Sequence, residues 1–271
     1  MAKTFDIFTY NGELAALKLH LSITNPFVDK YIIVEANQTF SGQPKPLYFF
    51  QQQRFVKPFW PKIQYYVMND WNNEAIWDIA KNSPNTQGAA HWKREFYIKE
   101  NIQTALKEES VADDDICFIG DVDEIWEGSQ DASDIELPAK LKLKVYSYYL
   151  DNRSDEQFWG TYVAKYRDFK DKVLNHERTR TDIRTKEEHG WHFTNMGGLK
   201  EMQRKLNDSY TAETYNTAIV QGKLPYNHKN RIDFLGRNFT FKTDESEWPQ
   251  YLKDNKSIYK HLCIRESPQM N

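Results

Sequence analysis

The chain has 271 residues and a near-balanced charge, 36 basic against 39 acidic groups for a formal net charge of −3. That lacks the basic excess of a nucleic-acid binder, so no nucleic-acid partner is expected. A mean hydropathy of −0.80 combined with 8 Trp, 16 Tyr and 16 Phe excludes a disordered chain, which would be poor in aromatics, and indicates a core of sizeable extent.

The elements are predicted in chain order as follows. Residues 4–10, TFDIFTY, alternate like a strand. Asn11 then has the chemistry of a helix cap, and the following GELAALKLHL places Leu14, Leu17 and Leu21 on one apolar face. KYIIVEA, 30–36, is a short apolar run suited to a buried parallel strand. Residues 38–49 carry Gly42, Pro44 and Pro46 and are predicted to be loop, followed by a short helix in QRFVKPFW and a strand over 62–68. Residues 88–109 form the clearest helix, and 114–120, DDICFIG, a fourth strand. This alternation implies a mostly parallel α/β sheet flanked by helices. The second half is less regular: strands are expected at 142–153 and 157–166, a turn-rich aromatic segment at 188–198, and helices over 199–209 and 211–222. No Pro/Gly/Ser linker divides the chain, so a single domain over 1–271 is expected, with a first half (1–126) and a second half (127–271).

Two cysteines, Cys117 and Cys263, make neither a disulfide framework nor a zinc motif and fit a reducing compartment. No apolar run reaches the ~20 residues of a membrane span, and the N-terminus enters a strand directly, so a cytoplasmic protein, at most peripheral to a membrane, is expected. A lumenal location would require that an anchor precede this sequence. Composition leaves the oligomeric state open.

The segment CFIGDVDEIW, 117–126, ends an apolar strand in three acids, Asp121, Asp123 and Glu124. In open α/β sheets ligands bind beyond the carboxyl ends of the strands. Two carboxylates there form a hard-oxygen site suited to Mg²⁺ or Mn²⁺; a solvated acidic turn is the alternative. The ends of the first two strands, Thr9–Asn11 and Glu35–Asn37, fall on the same edge. Glu35 and Asn37 have the chemistry to bond a base or ribose, and Arg94, near the start of the long helix, to fork onto a phosphate. The segment HGWHF sets His192 where a turn can aim it at the carboxylates, with Trp191 either core or a platform for a sugar ring.

Several stretches in order, FDIFTYNGELAALKLHL, VDKYIIVEANQTFSGQPKPLYF, KREFYIKENI, DDDICFIGDVDEIW, VYSYYLDN…FWGTYVAKY and GWHFTNMGG before a Lys-rich helix, together resemble glycosyltransferase family 17. That group includes β-1,4-mannosyl-glycoprotein β-1,4-N-acetylglucosaminyltransferase and bacterial and viral relatives. The resemblance implies a GT-A-like fold whose first half binds a nucleotide-sugar and whose second half binds a glycan acceptor. It implies a UDP-sugar donor, UDP-N-acetylglucosamine foremost, a divalent cation (Mn²⁺ or Mg²⁺) and inversion to a β-linkage. DVD becomes the DxD motif: Asp123 on the metal, Asp121 on the ribose or a metal-bound water, Glu124 bracing the loop, and His192 a further metal ligand. Thr9, Tyr10, Asn11, Glu35 and Arg94 fall where such folds hold the nucleotide. An inverting transfer needs a carboxylate base, for which Glu188, Asp151 and Glu156 are the candidates on second-half loops. Two other readings compete. A sugar nucleotidyltransferase would need a Gly-rich phosphate loop, whereas TYNGELA has one Gly. A non-catalytic carbohydrate-binding protein would not need the acids and His192 at one edge.

Overall fold

The computed structural model describes residues 2–83, 90–128, 135–208 and 215–264. Its centre is one twisted sheet in the order β10-β7-β6-β8-β4-β1-β2-β3, with β9 pairing β6 and β5 pairing β9, where β5 is Glu124–Trp126 and β10 is Phe241–Thr243. Strands β1 (Thr4–Thr9), β2 (Lys30–Ala36), β3 (Ile63–Met68) and β4 (Ile116–Asp121) are parallel neighbours. Beyond β4 the sheet is mixed. β8 (Phe158–Lys165) runs antiparallel to β4 and to β6 (Ala139–Ser147), while β9 (Arg184–Thr194) runs parallel to β6. The α/β class holds, but parallel pairing is concentrated in the first half. There the strands are joined by helical crossovers, which parallel neighbours require. β7 (Asn152–Ser154) follows β6 after four residues, and so short a return forces antiparallel pairing.

Strand alternation divides the core between the two sheet faces. Phe5 and Ile7 of β1, with Cys117 and Ile119 of β4, pack beneath Ile102, Ala105 and Leu106. Phe8 and Phe118 pack on the other face with Leu17 and Leu21 of α1 (Leu14–Thr24). α1 is buried on more than the one expected face. Leu19 and Ile23 belong to a separate cluster, with Ile125, Tyr146, Trp191 and Phe193 of the sheet and with Trp248 and Leu252 near the end of the described chain.

After α1 come the short α2 (Tyr48–Gln52), a 3-10 helix over Gln53–Lys62, and α3 (Glu74–Asn82). The long helix is two, α4 (Ala90–Glu100) and α5 (Ile102–Glu108), and residues 88–89 of the expected helix lie outside the described residues. They break at Asn101, whose side-chain amide donates to the Tyr97 carbonyl at 2.9 Å and competes with the helical backbone for that acceptor. The segment expected to be turn-rich at 188–198 is the second half of β9, followed by a turn at Asn195, Gly197 and Gly198, all at positive φ. α6 (Leu174–Arg178) precedes β9, and α7 (Leu199–Asp208) follows that turn. The helix expected over 211–222 begins at Ala218 and runs to Asn230; residues 211–214 are outside the described residues. Among the described residues, no helix is long and apolar enough to cross a membrane.

Candidate active site

Register brings the strand ends together. Thr9 lies opposite both Val34 and Asp121, so β1, β2 and β4 end at one edge. A solvent-open cleft of roughly 740 Å³ sits there, lined by Thr9, Tyr10 and Asn11 from β1 and its turn, Asp121 at the end of β4 and Asp123 in the turn after it, Lys99 of α4 and Lys205 of α7.

Each acid of the DVD turn is held by a lysine. Lys99 Nζ lies 2.6 Å from Asp121 Oδ1, which also accepts from the Thr9 hydroxyl at 2.9 Å. Lys205 Nζ lies 2.9 Å from Asp123 Oδ2, and His192 Nε2 lies 3.6 Å from Asp123 Oδ1. Burial by itself raises both carboxyls. Lys99 and Arg178 reverse this for Asp121, and Lys205 and His192 for Asp123, so both sit below the usual carboxylate range. The same pairing raises His192 and Lys205 against the opposing effect of burial. Among the described residues, the charged groups lining the cleft are Glu13, Asp121 and Asp123 against Lys45, Lys99 and Lys205, three of each sign.

The turn is held from behind by His20 of α1. Its Nε2 is 2.8 Å from Asp6 Oδ2 and its Nδ1 3.0 Å from the Val122 carbonyl. Both partners are acceptors, so both ring nitrogens must carry hydrogen, and His20 is an imidazolium paired with Asp6. Glu124 is buried beneath the turn, where its Oε2 accepts from the Thr161 hydroxyl at 3.2 Å. Its side chain fits between two glycines: a Cβ on Gly120 would come 2.7 Å from Glu124 Oε2, and one on Gly160 2.7 Å from Glu124 Cδ. Glu124 thus packs behind the turn between these glycines and Thr161.

The nucleotide-binding candidates divide. Thr9, Tyr10, Asn11 and Asp121 line the cleft. Asn11 does not cap α1. Its N–H donates to Glu13 Oε2 at 3.0 Å, and its buried Oδ1 has no partner among the described residues. Glu35 lies behind the cleft, and its carboxylate is saturated by Lys45 Nζ, the N–H groups of Tyr48 and Phe49, and the Tyr65 hydroxyl at 2.6–2.9 Å. Asn37 accepts from the Trp71 indole at 3.0 Å. Arg94 donates to Gln38 at 3.0 Å and lies over Trp71 and Trp77; Gln38, not Arg94, reaches the cleft. Trp191 points away from His192 into the core with Trp248 and Leu252, and donates to the Glu247 carbonyl at 2.7 Å. It is core, not a sugar platform, because adjacent strand residues face opposite sides.

The three base candidates lie elsewhere. Glu188 pairs with Arg153 at 3.2 Å, Glu156 with Arg237 at 3.2 Å, and buried Asp151 accepts from the Ile264 N–H at 2.9 Å. None lines the cleft. Among the described residues, no three His, Cys, Asp or Glu groups are arranged to cage a metal by themselves, so Asp121, Asp123 and His192 do not close as a trio. The donor chemistry nevertheless fits a hard cation, which is commonly held by one or two carboxylates plus substrate phosphate oxygens. Lys99, Lys205 and Glu13 were not singled out from sequence; Lys99 lies within KREFYIKENI and Lys205 on the Lys-rich helix.

This site sits within a stretch, residues 1–218, that matches the profile of Glycosyltransferase family 17. The class is thereby set: an enzyme that passes a sugar from a donor to an acceptor. The chain belongs to glycosyltransferase family 17. A search of curated protein sequences gave no match. Among solved structures, mouse xyloside xylosyltransferase 1 in its apo form is similar, with 8% identity, 77% of this chain and 75% of that chain covered, and a TM-score of 0.31.

Proposed function

We propose that the chain is a GT-A-like, inverting glycosyltransferase that uses a divalent cation and a UDP-sugar, UDP-N-acetylglucosamine foremost, to build a β-linkage on a glycan. The observation that carries this reading is the lysine-neutralised pair Asp121 and Asp123 at the cleft where β1, β2 and β4 end. The lining charges cancel, so a diphosphate entering alone would add two uncompensated negative charges, and one divalent cation balances them. Asp123 and Asp121 would hold Mn²⁺ or Mg²⁺ together with the diphosphate, and the ion supplies charge stabilisation to the leaving group. Lys99 and Lys205 face the same space and add fixed positive charge there. The unpartnered Asn11 Oδ1 offers an acceptor to a nucleotide N–H or hydroxyl.

A nucleotidyltransferase is disfavoured by the β1 turn, where Gly12 is followed directly by Glu13 and α1 in place of a Gly-rich phosphate cradle. A passive sugar-binding protein gives no role to paired acids and lysines in one cleft. Calorimetry with UDP in the presence and absence of Mn²⁺, followed by a hydrolysis screen of UDP-sugars, tests the proposal. The expected result is Mn²⁺-dependent UDP binding that Asp123→Ala weakens at least tenfold. UDP binding unaffected by either Mn²⁺ or Asp123→Ala refutes the cation role.

A further inference from the structure

A second cleft of roughly 780 Å³ adjoins the first, and Glu13, Asp123 and Lys205 line both. Its own walls are Ala15 of α1, Gln52 of α2, Phe193 at the end of β9, Met196 in the following turn, and Met202 of α7. Apolar surface with a few polar groups suits the faces and hydroxyls of a sugar ring.

We propose that this second cleft takes the acceptor sugar and that Glu13, in the shared wall, is the general base. The inference rests on the UDP-sugar reading above. Direct displacement with inversion needs nucleophile and leaving group on opposite sides of the anomeric carbon. The diphosphate belongs on the side of Asp121, which lines the first cleft but not the second. An acceptor hydroxyl entering from the second cleft therefore meets the sugar from the other side. Of the three shared residues, Lys205 is a cation and Asp123 is engaged by Lys205 and His192. Among the described residues, the Glu13 carboxylate receives one hydrogen bond, from the Asn11 N–H at 3.0 Å. It has acceptor capacity left for an incoming hydroxyl.

The step balances as follows. The acceptor oxygen forms a bond to the anomeric carbon, and its proton passes to Glu13. The bond from that carbon to the phosphate oxygen breaks, and its electron pair leaves with UDP.

The test compares wild type, Glu13→Gln and Ala15→Trp with Mn²⁺ present, after melting curves establish that each is folded. UDP binding is measured by calorimetry, hydrolysis with the UDP-sugar that wild type turns over fastest, and transfer from that sugar on a glycan array. Glu13→Gln is expected to bind UDP at least as tightly as wild type, since one negative charge lining the first cleft is removed, and to lose about 10²–10⁴-fold in hydrolysis and transfer, the span of general-base catalysis. Sodium azide, a nucleophile with no proton to remove, should restore its turnover and give the β-glycosyl azide. Ala15→Trp, which fills the second cleft, should lose array transfer by more than tenfold while still binding UDP. Wild-type turnover in Glu13→Gln, loss of UDP binding with turnover, or absence of azide rescue overturns the base assignment. Undiminished array transfer by Ala15→Trp overturns the acceptor cleft. If wild type itself binds no UDP with Mn²⁺, the donor reading fails, and this inference with it.

Discussion

Replacing Lys205 by methionine tests whether the lysine–carboxylate pairing governs the site. Asp123 is 6% exposed, while the Lys205 side chain retains 32% of its exposure. Removing one partner of a fully buried pair costs about 3–5 kcal/mol, and exposed pairs are worth at most about 1 kcal/mol. Lys205 is one-third exposed and His192 remains 3.6 Å from Asp123, so a cost of about 1–2 kcal/mol is expected, a fall in Tm of about 2–8 °C for a chain of this size. Removing both charges, in Asp123→Asn with Lys205→Met, should cost less than the sum of the single changes, because neither group is left unpaired. Lys205 also competes with any cation for Asp123. Releasing that competition should tighten Mn²⁺ binding without nucleotide by about tenfold, the equivalent of ~1.4 kcal/mol. With Mn²⁺ present, UDP binding should weaken, because a positive charge facing the diphosphate has gone. Melting curves over the double-mutant cycle and calorimetry with Mn²⁺ and with UDP read these opposite signs. A neutral Lys205→Met with unchanged Mn²⁺ affinity would refute the reasoning.

Two further substitutions probe the frame around the turn. Asp6, together with hydrogen bonds to Asp6 and Val122, raises the His20 pKa against the larger single effect of burial. A raised folded pKa means its stabilisation is complete below the unfolded value of about 6.5 and is lost as pH rises through the folded value. The Tm advantage of wild type over His20→Gln should therefore shrink as pH is raised from 6 to 9; a constant difference contradicts the imidazolium assignment. Gly190 has φ +147°, and a Cβ there would lie 2.3 Å from the Ile125 carbonyl oxygen. Gly190→Ala should cost about 2–4 kcal/mol in denaturant unfolding and, by loosening the pairing of β5 (Glu124–Trp126) with β9 that seats His192 opposite Glu124, weaken UDP binding. A variant with wild-type stability would show that the β5–β9 contact is easily rearranged.

The first half was legible because its strands are short apolar runs bounded by polar ends, and strand ends in such a sheet define a ligand edge. The register of Thr9 with Asp121 puts that edge where the apolar runs stop. β9 was hidden because its first residues, RTKEEHG, are charged and partly exposed, and its pairing to β6 is interrupted by irregularities. With β9 unseen, the alternation that sends Trp191 inward and His192 toward Asp123 had no strand to act on. Glu35 illustrates a different limit. Its position at the end of β2 was read correctly, but the four donors that saturate it come from Lys45, Tyr48, Phe49 and Tyr65, and spacing along the chain does not reveal such convergence.

The lysines were missed for a reason that also explains how the site is built. Asp121 and Asp123 are carboxylates two residues apart in a turn, and without nearby cations their repulsion and desolvation would favour protonation. Lys99 arrives from α4 and Lys205 from α7, 22 and 82 residues away in sequence, so a local acidic motif is completed by non-local bases. The two pairs differ in environment. Lys99 is 4% exposed and also 3.2 Å from Glu95, which ties it to its own helix. Lys205 sits on α7, behind a turn with three positive-φ residues, and borders both clefts. A charge fixed on α4 suits permanent support of Asp121. On the proposed UDP-sugar reading, a charge on α7, shared between the clefts, suits a contact that exchanges Asp123 for diphosphate. The opposite signs expected for Mn²⁺ and UDP binding in Lys205→Met follow from a lysine that competes with the cation for a carboxylate yet faces the diphosphate, and Lys99→Met, which frees Asp121 of a partner at 2.6 Å, should likewise tighten Mn²⁺ binding without nucleotide.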